Sequence, residues 1–345
     1  MGFPALRKSP PVSTQTLDAM MRSNFACFVL KAFSTVSPGD TFSSNWHIHA
    51  MCHNLSKVLS GDVKRLIITI PPRHLKSICT SVALPAFVLG HNPTRRIICV
   101  SYSQELAVKH ANDCRSVMNA DWYRRIFPGT RIDPAKNTET EVKTTKQGFR
   151  LSTSVGGTLT GRGGNLIIID DPIKPADAMS EASRERVLDW YRTTLTSRLD
   201  DKKNDAIILV MQRLHVGDLA GYLLDRGGWQ HLNLPAIAQT DEKIEVAPGQ
   251  YHTRKVGDLL HPSRESEARL LENKTTMGSA TFAAQYQQSP VPPGGNMISW
   301  EWFKWFDLND FEVDNIAISW DTAMKPTELA DYSVGTVWTR KNDLY

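Results

Sequence analysis

No stretch of 18 apolar residues occurs in the 345-residue sequence, and the N-terminus carries no hydrophobic segment of the kind a secretory signal needs. Neither a membrane-spanning helix nor a signal peptide is therefore expected. Charge of one sign is also scarce. Forty Lys and Arg against 36 Asp and Glu leave a net charge of +4, which tolerates a polyanionic partner without indicating one. The five cysteines, Cys27, Cys52, Cys79, Cys99 and Cys114, are widely spaced and form no C-x-x-C pair. That excludes a disulfide scaffold and suits reduced, buried thiols in a cytosolic protein. There is no internal repeat and no low-complexity tract. What remains, with 41% hydrophobic and 22% charged residues, describes a soluble globular chain long enough for two domains and a substantial core. His47, His49, Cys52 and His53 have zinc-like spacing, but Ile48, Cys52, Leu55 and Leu59 recur at helical spacing through them. No second ligand pair comes after them, so an amphipathic helix is the expected reading.

Glycine is missing where one motif most wants it. Leu66 to Ile70 is an apolar, β-branched run that reads as a buried strand, and Pro71-Pro72 ends it because proline cannot donate to a sheet ladder. Lys76-Ser77 then opens a segment, Ile78 to Leu89, with helix-compatible spacing. Strand, tight loop, Lys-Ser and helix make the layout of a phosphate-binding loop, with Lys76 reaching phosphate oxygens and Ser77 ligating Mg²⁺. In the G-x-x-x-x-G-K-[ST] register both glycines are replaced, by Ile70 and Leu75.

A second stretch supplies what the first leaves open. Leu166-Ile167-Ile168-Ile169 feeds Asp170-Asp171, a buried strand that delivers two acids to its C-terminal end. In such a Walker B arrangement Asp170 holds Mg²⁺, directly or through water, and Asp171 orients or deprotonates the attacking water.

Around these motifs, residues 1–40 read as a loose arm with a helix over Leu17 to Val36. The next helix spans Trp46 to Leu59, at whose start Trp46 or His47 could meet a nucleotide base. Arg96–Ser101, Phe149–Ser154 and Ala206–Met211 read as strands, and Gln104–Met118 and Glu181–Leu199 as helices. Strand–helix alternation predicts an α/β fold with a mostly parallel sheet flanked by helices. The strand ending at Met211 would bring Gln212-Arg213-Leu214-His215 to the edge that carries Lys76 and Asp170, where ligands bind in open α/β sheets and where Gln212, Arg213 or His215 could sense a γ-phosphate. Arg124, Arg125, Arg131, Lys136, Lys143, Lys146 and Arg150 make the middle basic, read as a solvated face or a surface for DNA phosphates. Arg162 projects from the glycine-rich Gly161–Gly164. The expected domains are 41–289, with a turn-rich and helical subregion at 227–289, and 298–345, joined by the Pro/Gly linker 290–297.

The ordered set Ile70–Ser77, Gly161-Arg162-Gly163, Asp170-Asp171, Gln212–His215 and Ser319–Ala323 resembles the large terminase subunit of tailed bacteriophages and prophages, from about residue 40 onward. That resemblance implies a P-loop NTPase followed by the start of an RNase H-like α/β domain. The activity implied is ATP hydrolysis coupled to translocation of double-stranded DNA into a procapsid. It further implies assembly as a homo-pentamer at the portal protein, recruitment by the small terminase subunit, work in the bacterial host cytoplasm, and no membrane. Carried over by position, Arg73, His74, Lys76, Ser77 and Gln212 contact ATP, while Ser77 and Asp170 hold Mg²⁺. Asp171 is the catalytic acid–base residue and Arg162 a finger acting on a neighbour. Asp321, with Asp331 as an auxiliary, begins a nuclease site for Mg²⁺ or Mn²⁺. The family's later nuclease acids have no counterpart here, so a truncated nuclease domain without cutting activity of its own is expected. A non-catalytic prophage remnant, or another P-loop translocase or helicase, stays open on the residues alone.

Overall fold

The computed structural model describes residues 13–159, 161–291, 315–321 and 334–340. The chain divides into two compact units, Met1–Pro293 and Gly294–Tyr345. The first begins with α1 (Thr14–Ser23) and α2 (Phe25–Val36) rather than a single helix. Asn24 between them is extended, and its side chain accepts the Cys27 N–H at 3.1 Å, so it caps the second helix instead of continuing the first. Then come α3 (Trp46–Ser60), stopped by Gly61 at φ 87°, and β1 (Arg65–Thr69). A π-helical segment, Ile78–Ala83, leads into α4 (Leu84–His91). The remaining elements up to the sheet centre are β2 (Arg96–Ser101), α5 (Gln104–Asn119), α6 (Asp121–Ile126), β3 (Ile132–Asn137), β4 (Glu141–Thr144), β5 (Phe149–Ser154) and β6 (Leu166–Asp170). After them lie α7 (Glu181–Trp190), β7 (Ala206–Met211), α8 (Leu219–Arg226), β8 (Gln230–Asn233), β9 (Glu242–Ala247), β10 (Gln250–Arg254), α9 (Glu267–Met277) and α10 (Ser279–Gln285).

Eight strands form one sheet in the order β3-β4-β5-β2-β6-β7-β1-β8. From β5 to β8 every neighbouring pair is parallel; β4 runs against β5, and β3 against β4. Successive side chains on a strand face opposite ways, and here both faces are covered. Leu66, Ile68, Ile97, Ile168 and Ile208 pack under α2 to α6, while Ile67, Ile98, Ile167, Ile169 and Leu209 pack against α7 and α8. That double burial is why these strands read as unbroken apolar runs.

Some elements depart from the sequence expectation. The helical part of the 227–289 subregion is two helices, parted at Gly278, whose φ of 84° ends α9. The strands β3, β8, β9 and β10 have exposed, mostly polar residues and no apolar run. The β9–β10 hairpin rests on α3 through Trp46, which stacks on His252 with ring centroids 4.4 Å apart, and through Glu245, which accepts from Lys57 at 2.6 Å. In the second unit, β11 (Asn315–Asp321) pairs antiparallel with β12 (Val334–Arg340), leaving Ile318, Trp320 and Val337 exposed. Asp331 lies outside the described residues, and Asp321 is the last residue of β11.

Candidate functional site

The C-terminal ends of β1, β6 and β7 lie side by side, with β7 between the other two. The segments leaving these three strands therefore converge. After β1 the fully buried Ile70 still donates to Met211 O at 3.2 Å, and then Pro71-Pro72 turns the chain out of the sheet. The next residues curl tightly, with Arg73 at φ 64° and Leu75 at φ 63°. Left-handed backbone at a residue bearing Cβ costs about 1–2 kcal/mol, and Leu75 adopts it where the loop pattern has glycine. Lys76 is buried, and its Nζ lies 3.0 Å from Asp171 Oδ2.

Both Asp170 oxygens are engaged. Ser77 Oγ donates to Oδ1 at 3.1 Å and Ser81 Oγ to Oδ2 at 2.7 Å, and His110 Nδ1 sits 3.6 Å from Oδ2. Asp171, at φ 46°, keeps the ladder hydrogen bonds to its neighbours: its N–H donates to Val210 O and its carbonyl accepts from Tyr102 N, each at 3.0 Å. Its Oδ1 accepts from Gln212 N at 3.3 Å. Burial pushes both carboxyls above the usual carboxylate range, and the Lys76 ammonium pulls them back down.

Arg150 corrects the sequence reading outright. Counted there among surface cations, it is fully buried. Pro85 has no N–H to offer the Ser81 carbonyl four residues earlier, and that carbonyl receives Arg150 Nη2 at 3.0 Å and Nε at 3.3 Å. Arg150 also donates to Ser152 Oγ. Ser81 thus couples a buried guanidinium to Asp170, with carbonyl on one side and hydroxyl on the other. Of the remaining basic residues of that stretch, Arg125 pairs with Asp18.

The cleft beside this edge has a volume of about 620 Å³ and is lined by Arg73, His74, Lys76, Ser77, Asp171 and Gln212, all singled out in the sequence. His47, His110, His261 and Arg264 line it too, and motif reasoning gave only the first of these. Trp46, the alternative base contact, turns instead to His252 and Arg254. His47, His74 and His261 form a packed trio with ring centroids 5.3 to 6.3 Å apart. Burial lowers His47 to about 2 and His74 to about 4, so both are neutral near pH 7. His74 Nδ1 bonds Pro72 O at 2.9 Å, which fixes the loop, and the His47 Nε2 has no partner. His53, expected on the same helix face as His49, faces Glu245 at 2.9 Å, away from the trio. Among the described residues no group of three or more His, Cys, Asp or Glu could hold a metal.

Arg213 is committed elsewhere: its Nε bonds both Asp218 oxygens at 2.9 and 3.0 Å, and its N–H donates to Gln288 Oε1 at 2.9 Å. Arg162 is not beside the active edge, where its glycine-rich loop was expected to hold it. It pairs with Glu141 and lies over the Phe149 ring, 5.5 Å from the centroid, at the opposite end of β5. The loop crosses back to begin β6, which separates Arg162 from its own Asp170 by the length of a strand.

No protein-family model matches the chain, and no curated protein matches it significantly by sequence. By structure it is similar to the HK97 bacteriophage large terminase, at 14% identity and a TM-score of 0.47, over 78% of this chain and 55% of that one. It is also similar to the ATPase domain of the Thermus phage P74-26 large terminase, at 12% identity and a TM-score of 0.46, over 75% and 98% of the two chains. A third is the large terminase of a thermophilic bacteriophage in complex with ATP-γ-S, at 12% identity and a TM-score of 0.34, over 52% and 44%. The chain thus spans about half the length of the HK97 protein. At such identities and scores, function has to be argued from the side chains themselves.

Proposed function

We propose that the first unit is an ATPase and that the chain is a motor subunit packaging phage DNA, as a large terminase does. The observation that carries the ATPase reading is the convergence of Lys76, Ser77, Asp171 and Gln212 on one cleft from three adjacent strands, with the buried Asp170 directly behind Ser77. The donor set suits Mg²⁺, since the Ser77 hydroxyl and the Asp170 carboxylate are hard oxygen ligands 3.1 Å apart. When bound, the ion neutralises charge on the phosphates. Asp170, with both oxygens already hydrogen-bonded, would hold it chiefly through water.

Lys76 pairs with Asp171. A phosphate chain in the loop draws the ammonium to itself and frees Asp171 Oδ2 to orient a water. Gln212 donates to the other Asp171 oxygen from its backbone, which leaves its side chain to report the state of the cleft. The DNA substrate, the portal and small-subunit partners, the pentamer and the host cytoplasm belong to the terminase reading, supported by the order of motifs. Asp321 and Asp331 are proposed as metal-binding acids of a nuclease part.

The test is Lys76→Ala in Mg²⁺-dependent ATP hydrolysis. Loss of the ammonium removes stabilisation of the developing phosphoryl charge, and turnover should fall at least a hundredfold, about 2.7 kcal/mol. A variant with near-wild-type turnover would sink the reading. Absence of Mg·ATP binding by the wild-type chain would instead mark it as a non-catalytic remnant.

A further inference from the structure

The cleft has a wall that the phosphate-loop motifs do not account for. It comes from the turn 260–265, between β10 and α9. Asn45 Nδ2 donates to Leu260 O at 2.6 Å, and Leu260 N donates to Ala236 O at 2.7 Å. His261, itself buried, bonds Ser43 Oγ through Nε2 at 3.1 Å, and Glu265 Oε2 lies 3.7 Å from His74 Nε2. The turn is therefore fastened to the start of α3 and to the end of the sheet, and it lies against the phosphate loop.

Arg264 stands on this fastened turn. Its N–H donates to His261 O at 3.0 Å, which closes the turn, and its side chain lines the same cleft as Lys76 and Ser77. Several cations nearby are matched, Arg254 with Glu242, Arg269 with Glu272, Lys109 with Asp113 and Lys76 with Asp171, whereas Arg73, which lines the same cleft, is in no such pair among the described residues. Arg264 has no carboxylate within ion-pair distance among the described residues. Its nearest aromatic company is the neutral trio His47, His74 and His261, each of which feels its positive charge. A guanidinium that lines the cleft in no ion pair, with the adjacent Glu265 carboxylate feeling its charge from a distance, keeps its donors for an anion brought in from outside.

We propose that Arg264 binds the phosphate chain of the nucleotide held by Lys76 and Ser77, from the opposite wall of the cleft and within the same subunit. This rests on the ATPase reading above. Arg264 then makes the turn 260–265 part of the nucleotide site, so that nucleotide ties the segment after β10 to the phosphate loop.

The experiment is displacement of a fluorescent ATP analogue from the full chain by Mg·ATP and by AMP, for wild type, Lys76→Ala, Arg264→Gln and Arg264→Lys. Arg264→Gln should weaken Mg·ATP about tenfold or more and AMP less than threefold, with an unchanged melting curve in the absence of nucleotide. Arg264→Lys should recover part of the loss, since it keeps the charge without the fork. If Lys76→Ala loses affinity while Arg264→Gln binds Mg·ATP as wild type does, the Arg264 assignment is wrong and the ATPase reading stands. Equal weakening of Mg·ATP and AMP also overturns it, because the contact would not be to the phosphate chain. If the wild-type chain binds neither nucleotide, the underlying reading falls and takes this one with it.

Discussion

His47 offers a prediction whose size derives from burial. Its side chain is only 1% exposed, its Nε2 has no partner, and burial, with help from the neighbouring histidines, lowers its pKa to about 2. In the unfolded chain a histidine titrates near 6.5. Between those values the unfolded state binds a proton that the folded state refuses, so stability falls as pH falls below about 6.5. At pH 5 the difference amounts to about 2 kcal/mol, and it barely depends on the folded value once that lies well below 5. His74 and His110, both lowered to about 4 by burial, add similar amounts. Three such groups approach about 6 kcal/mol, a large part of the 5–15 kcal/mol typical of a folded protein. Asp170 and Asp171, whose carboxyls are raised, act in the opposite sense. A comparison that changes only His47 removes that complication. Urea unfolding of wild type and His47→Gln, without nucleotide, at pH 7.5 and pH 5.0 is the assay. Whatever the substitution costs at pH 7.5, the variant should lose about 2 kcal/mol less than wild type on going to pH 5.0. Equal losses would mean that His47 is protonated in the fold, or not as buried as described.

Two further predictions accompany those for Lys76 and Arg264. Gly148→Ala would place a Cβ 2.3 Å from Pro93 O and 2.6 Å from Arg95 O, backbone atoms that cannot swing aside. It should destabilise the first unit by about 1–3 kcal/mol in urea unfolding, and an unchanged midpoint would contradict the packing of the strand start. Arg162→Ala should leave Mg·ATP binding intact and depress hydrolysis, and mixing it with Lys76→Ala chains should restore activity if Arg162 serves a neighbour. No recovery in mixtures shown to assemble would leave Arg162 as the partner of Glu141 alone.

The parts of the fold legible in the sequence are those whose signal is local. β1, β2, β6 and β7 are buried on both faces, so their residues spell continuous apolar runs, and the acids and amide that end them come directly after in the chain. The tight loop between β1 and the helix that follows is legible through Pro71-Pro72 and Lys76-Ser77, although Leu75 adopts the backbone that glycine would take more cheaply. Arg150 was not legible. Its burial depends on a carbonyl and a hydroxyl of Ser81, 69 residues away, and on a proline that leaves the carbonyl accessible. His261 and Arg264 belong to no motif and enter the cleft only because Asn45, Ser43 and Ala236 fasten their turn. The division of α1 from α2 turned on one asparagine, whose preference for a cap outweighs the continuing apolar spacing.

The bond from Arg213 N–H to Gln288 Oε1 has a mechanical side. Gln288 is buried, and its neighbours are sewn to the segment after β8, through Tyr286 O to Ala236 N at 2.7 Å and Gln287 Oε1 to Ile237 N at 3.0 Å. The polypeptide therefore leaves the first unit from a point one residue away from Gln212, whose own N–H holds Asp171. A pull on the chain beyond Ser289 is borne by that strand tip together with α10, whose Ala283 O accepts from Ser289 N–H at 2.9 Å. Conversely, any displacement of β7 against β6 when phosphate enters or leaves moves the anchorage of the chain beyond that tip. The strand tip that holds Asp171 and the exit of the chain from the first unit thus share an anchorage two hydrogen bonds deep, as a crank shares its pin with the piston rod.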